Sequence, residues 1–171
     1  MGDPVDPGPV RLVVGVTPGQ PDAVVVEAAA IAQRIGGELE LATVDVASYA
    51  VEQGPDGIIV ALPLDADAPE AVTESFDPAL AARIDALVAP TGVRYRCHAL
   101  AGDPAQELAE LAEAVGAQAI VVGVRERGLR TAAHEFLNGS VGAHLAHRQH
   151  RPVILIPVDP IGFEADPPWR D

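Results

Sequence analysis

The sequence predicts an α/β domain: a five-stranded parallel sheet, doubly wound and Rossmann-like, with helices on both faces. Two observations carry that expectation. Short β-branched apolar runs alternate along the chain with amphipathic stretches of roughly ten or more residues, the rhythm of βαβ units. The chain has 171 residues, of which 49% are hydrophobic, enough for the core of one domain. Only 4% are aromatic, so that core must be built from Ala, Val, Leu and Ile.

Residues 10–16 form the first strand-like run, closed by a Thr17-Pro18-Gly19 turn. Asp22 is placed to cap a helix that runs to about Arg34 and stops at Gly36-Gly37. Residues 39–46 read as the second strand. Residues 47–76, rich in Pro, Asp, Glu and Ala, read as a long insertion before a helix over 78–88; segment 57–62 within it is a candidate short strand. The third strand spans 93–100 and is closed by Gly102. Asp103 then caps a helix over 104–115, with Pro104 at the first helical position, where its missing N–H costs nothing. A fourth strand over 119–122, a helix over 141–147 and a last strand over 153–156 complete the pattern. Residues 1–9 read as a flexible lead, 10–158 as the domain, and 159–171, with three prolines and four acidic residues, as a tail.

Charge narrows the function. The net charge is -14, and all 11 basic residues are Arg. Without Lys there is no P-loop lysine, no kinase-type strand lysine and no Schiff-base chemistry. The negative charge argues against nucleic-acid and anionic-membrane partners, which are gripped by excess cations. The single Cys97 excludes an internal disulfide and a multi-Cys zinc site. Residues 1–10 lack the basic segment and apolar core of a signal peptide, Asp6 stands where myristoylation wants Ser or Thr, and no apolar run approaches a membrane span. The expectation is a soluble, cytoplasmic protein.

Within that acidic chain, residues 123–151 reverse the sign: five arginines face two acidic residues, a local charge of +3. The same stretch holds Gly123, Gly128 and Gly139-Ser140 ahead of a helix. Backbone N–H groups and the helix dipole at such a start favour an anion, and phosphate is the natural occupant. Arg125, Arg127 and Arg130 lie in this loop and face either that anion or solvent. Arg148 and Arg151 end the helix, where the dipole favours cations with no ligand. His134, His144, His147 and His150 share the region; His144 and His147 have metal-ligand spacing but no acidic or Cys companion, so packing or partner contacts are the simpler role. His98 reads as a core or edge residue of the third strand. Asp45, ending the second strand, stands where a ribose-binding or general-base carboxylate would lie, or is a solvated strand end. No nucleophile elbow, H-E-x-x-H motif or acid/base carboxylate pair is present, and Ser140 with His144 does not build a triad. An enzyme is not expected, with weak ATP hydrolysis left open.

Three stretches resemble the universal stress protein family. Arg11-Leu12-Val13-Val14-Gly15-Val16, with its turn and Ala-rich helix, is similar to that family's first strand and helix. The run from Gly102-Asp103-Pro104 to Ile120-Val121-Val122-Gly123 is similar to its third helix and fourth strand. Asn138-Gly139-Ser140-Val141, then Arg151-Pro152-Val153-Ile154-Leu155-Ile156-Pro157, resembles its fourth helix and closing strand. The resemblance implies a homodimer paired through the last strand, residues 153–158, whose apolar makeup suits an edge that meets a second copy. It also implies ATP or another adenine nucleotide as ligand in members carrying G-x2-G-x9-G-[ST] after strand four and an Asp after strand one; other members lack both and bind none. Here Thr17 replaces that Asp, Glu126 takes the second glycine position, and twelve residues instead of nine lead to Gly139. Gly123, Gly139 and Ser140 are kept, as is Val44 at the end of strand two, and Val141 follows. Glu126 brings negative charge towards a triphosphate, while the inserted loop, through Arg127 and Arg130, compensates it or closes the site. Two readings therefore stand: a stress-response regulator that binds an adenine nucleotide, and a dimeric protein-interaction module of the same fold that binds none.

Overall fold

Arg11–Gly15 forms β1, and its apolar residues are already committed to two opposite cores because side chains alternate along a strand. A computed structural model of the chain describes residues 8–53, 59–63, 72–124, 140–158 and 160. Helix α1 (Ala23–Ile35) and strand β2 (Glu38–Asp45) follow. Beyond a three-stranded insertion come α2 (Pro78–Val88), β6 (Tyr95–Ala101), α3 (Pro104–Ala114), β7 (Ala119–Val124), α4 (Ser140–Arg148) and β8 (Val153–Pro157). The five main strands are parallel in the order β6-β2-β1-β7-β8. Leu12, Val14, Leu39, Leu41 and Val121 pack with α1 and α2 on one face. Val13, Ala42, Ile120 and Val122 pack with α3 and α4 on the other. The predicted five-stranded parallel α/β fold is the observed one.

The insertion is more ordered than its composition suggests. Ser48–Gln53 (β3), Ile59–Pro63 (β4) and Val72–Glu74 (β5) form an antiparallel sheet, which meets the main sheet at β6. Strand β4 overlaps the candidate segment 57–62; β3 and β5 were not anticipated, because strands this short among Pro and acidic residues leave little periodic signal.

Helix ends follow local chemistry, with one correction. Asp77 accepts from the N–H groups of Ala79 at 2.7 Å and Leu80 at 3.2 Å, and Asp103 accepts from Gln106 at 2.9 Å. Gly36 closes α1 in the left-handed region at φ 64°, where a side chain would be strained. Asp22, expected to cap α1, has helical dihedrals and makes no capping bond. A cap needs extended backbone to turn its side chain onto the first turn. The Asp22 carboxylate instead pairs with Arg83 Nε at 2.6 Å, tying α1 to α2.

At the amino ends of the strands an ionic cluster surrounds one buried carboxylate. Glu40 is 1% exposed although it sits in β2, between β1 and β6. His98 Nε2 lies 2.7 Å from its carboxylate, Arg96 Nη1 3.5 Å and Arg11 Nε 3.9 Å. Glu38 pairs with Arg94 and lies 3.7 Å from Arg11 Nε. Arg11 also donates through Nη1 to the carbonyl of Val115 at the end of α3, at 2.9 Å. His98, read as a core or edge residue, lies on the edge strand β6 and hydrogen-bonds the buried carboxylate of Glu40.

Candidate functional site

Strand order reverses between β1 and β7, the place where ligands of open α/β sheets bind beyond the strands' carboxyl ends. Gly15, the last residue of β1, pairs with Val122, so Val16 and the Thr17 turn leave the sheet beside Gly123 and Val124, the last two residues of β7. The turn after β1 includes Gly19 at φ 76°, which folds the following residue back towards the sheet. That residue is Gln20. Its Oε1 accepts from the Thr17 backbone N–H at 3.0 Å and from Thr17 Oγ1 at 3.3 Å. Its Nε2 reaches over Gly123, where a Cβ would stand only 2.7 Å away. Val24 Cγ2 and Val158 Cγ1 crowd the same point at 2.8 and 3.1 Å. The bare backbone of Gly123 is therefore required by packing alone. Below the turn, the cleft between α1 and α2 offers about 10 Å³, lined by Thr17, Gln20, Asp22, Leu80, Arg83 and Leu87 among others. That is the room of roughly one water.

The other residues expected at the site are spread over two faces. Val44, near the end of β2, is half-buried on the α3 and α4 side, opposite the face that Gln20, Val24 and Gly123 share. Val141 is 4% exposed and belongs to the core beneath α4, so its side chain packs and only its backbone is near the helix start. Ser140 is the first residue of α4. Arg125, Arg127, Arg130 and Gly139 lie outside the described residues, as do Glu126, Gly128 and His134.

Asp45 accepts from Ala47 N–H at 2.9 Å and so shapes the turn into β3. Arg151 donates through Nε to the Ala117 carbonyl at 2.8 Å and pairs with Glu113 at 2.6 Å, clamping the end of α3. The hydrogen bond and charge of Arg151 hold the Glu113 carboxyl below its ordinary value. His144, His147, Arg148 and His150 are exposed. No three His, Cys, Asp or Glu gather as a metal set among the described residues. Cys97 is half-buried, and desolvation pushes its thiol up to about 11. Sequence reasoning missed Gln20 and the residues that converge with it on Gly123. The available signal was a polar side chain directly after the turn glycine, ahead of α1.

The universal stress protein family model matches residues 10–157. The chain belongs to the universal stress protein family. No curated protein matches it. Among solved structures, a universal stress protein in complex with cAMP is 24% identical, with a TM-score of 0.55 over 88% of this chain and 98% of that one. A universal stress protein from Archaeoglobus fulgidus is 19% identical, with a TM-score of 0.53 over 86% of this chain and 98% of that one. Another from Archaeoglobus fulgidus, in complex with dAMP, is 18% identical, with a TM-score of 0.51 over 86% and 97%. At these identities the likeness is one of fold. Among the described residues of this universal stress protein, no helix is long and apolar enough to cross a membrane.

Proposed function

We propose that this universal stress protein is a cytoplasmic stress-response regulator that binds ATP or another adenine nucleotide at the carboxyl ends of β1 and β7. One observation carries the reading: where strand order reverses, the turn at Thr17 leaves β1 next to the side-chain-free Gly123 near the end of β7. Two family structures in complex with cAMP and dAMP support an adenine nucleotide as the class of ligand. Gly139 and Ser140 supply backbone N–H groups and a hydroxyl to the phosphates at the start of α4, with Arg125, Arg127 and Arg130 offsetting Glu126. Val44 and Val141 contribute to the site through backbone and packing. The proposed role is binding; among the described residues no three His, Cys, Asp or Glu gather as a metal set. The protein acts as a homodimer through residues 153–158, and no nucleic acid or membrane is involved.

The second reading, an interaction module without nucleotide, is favoured by the side chains of Gln20, Val24 and Val158 converging on Gly123. A thermal melt separates the two. Ligand at 100 times its dissociation constant stabilises by about 2.7 kcal/mol, which moves the midpoint of a domain this size by roughly 5–10 °C. We expect a shift of that order, in ligand-stripped protein, with at least one of ATP, ADP, AMP or cyclic AMP at millimolar concentration. An unchanged midpoint with all four would leave the interaction module standing.

A further inference from the structure

The carboxamide of Gln20 has a fixed orientation. A backbone N–H can donate only to the amide oxygen, so the 3.0 Å bond from Thr17 commits Oε1 and turns Nε2 towards the end of β7. The Thr17 hydroxyl reinforces the same assignment at 3.3 Å. Among the described residues, the side-chain hydrogen bonds of Gln20 all use Oε1. Nε2 is left as a donor standing over Gly123, between the two strand ends that frame the crevice. No acidic side chain follows β1 in this turn until Asp22, and that carboxylate is held by Arg83. Among the described residues, the side-chain amide at the end of β1 therefore presents hydrogens, not a lone pair.

We propose that Gln20 reads the base of the bound nucleotide, donating from Nε2 to a ring nitrogen. The inference rests on the adenine-nucleotide reading and specifies it. A donor cannot recognise the exocyclic amino group of adenine, which itself donates. The contact must fall on one of the base's acceptors, N1, N3 or N7. Thr17 acts through Gln20 as the positioning residue, since its N–H and hydroxyl lock the amide.

Binding of ATP and of 1-deaza-, 3-deaza- and 7-deaza-ATP, each with one ring nitrogen replaced by C–H, tests this in the full chain. A neutral hydrogen bond contributes enough for about a 3- to 10-fold change in dissociation constant. We expect wild type to lose that factor with one of the three analogues only. In Gln20→Ala, ATP itself should weaken by a similar factor and the penalty for that analogue should vanish. Gln20→Met, which keeps the chain length and removes both polar atoms, should behave the same, and ligand-free melts of both variants report whether the fold is kept. Equal binding of all four nucleotides by wild type, or a deaza penalty that persists in both variants, would overturn the role of Gln20 while leaving nucleotide binding intact. No binding of any of the four by wild type would overturn both.

Discussion

Tyr95 donates its hydroxyl to Asp85 Oδ1 at 2.7 Å, bridging β6 to α2. That hydrogen bond first, and desolvation second, push the phenol from 10.0 up to about 12. The folded protein thus keeps a proton that the unfolded chain releases, so this contribution to stability is whole below pH 10 and fades as the pH rises towards about 12. Urea unfolding of wild type and Tyr95→Phe across that window should show a steeper decline for wild type; parallel declines would refute the assignment. Single residues are also where the sequence was hardest to read. Gln20 looks like turn punctuation until the turn folds it onto Thr17 and Gly123. Glu40, in the alternating run Glu38-Leu39-Glu40-Leu41, looks solvent-facing. Its partners come from β1 and β6, 29 or more positions away, and only the pairing of strands reveals them.

The helices show which local signals are sufficient. Asp77 and Asp103 each precede a proline and have backbones that let the carboxylate cap the helix. Asp22 follows a proline and has helical dihedrals, so the same residue type bonds sideways to Arg83. The two cases should separate on mutation. Asp103→Ala removes a cap worth about 1 kcal/mol, whereas Asp22→Ala removes an exposed ion pair worth about half that or less. The urea midpoint should fall clearly for the first and little for the second; a reversed order would show that the ion pair, not the cap, holds its helix in place. The main strands and helices were legible because each carries its own apolar period. The antiparallel insertion was not, since its strands depend on one another and on β6 for a reason to form.

For the whole molecule, order along the chain was enough to give the sheet and, with it, the crevice between β1 and β7. The proposed site was legible in the sequence only as positions: Thr17 follows β1, Gly123 lies near the end of β7 and Ser140 begins α4, whereas Val44 and Val141 pack on the opposite face from Gly123. Assembly belongs to this scale too. Strand β8 ends the sheet, and its Leu155 is 50% exposed at that edge. Leu155→Arg should convert a homodimer to a monomer in light scattering while leaving the fold unchanged; a wild type that is itself monomeric would remove β8 as the interface. The buried carboxylate of Glu40 also bears on how the sheet is put together. Were β2 to pair one residue out of step, every side chain on it would change faces. Glu40 would then enter the core of Val24, Val25 and Ala28, with neither arginine nor His98 beside it. An unpaired charge there costs on the order of several kcal/mol. The ionic cluster thereby proofreads strand alignment: a misregistered sheet is rejected at the amino ends of its strands, opposite the end that carries the proposed site.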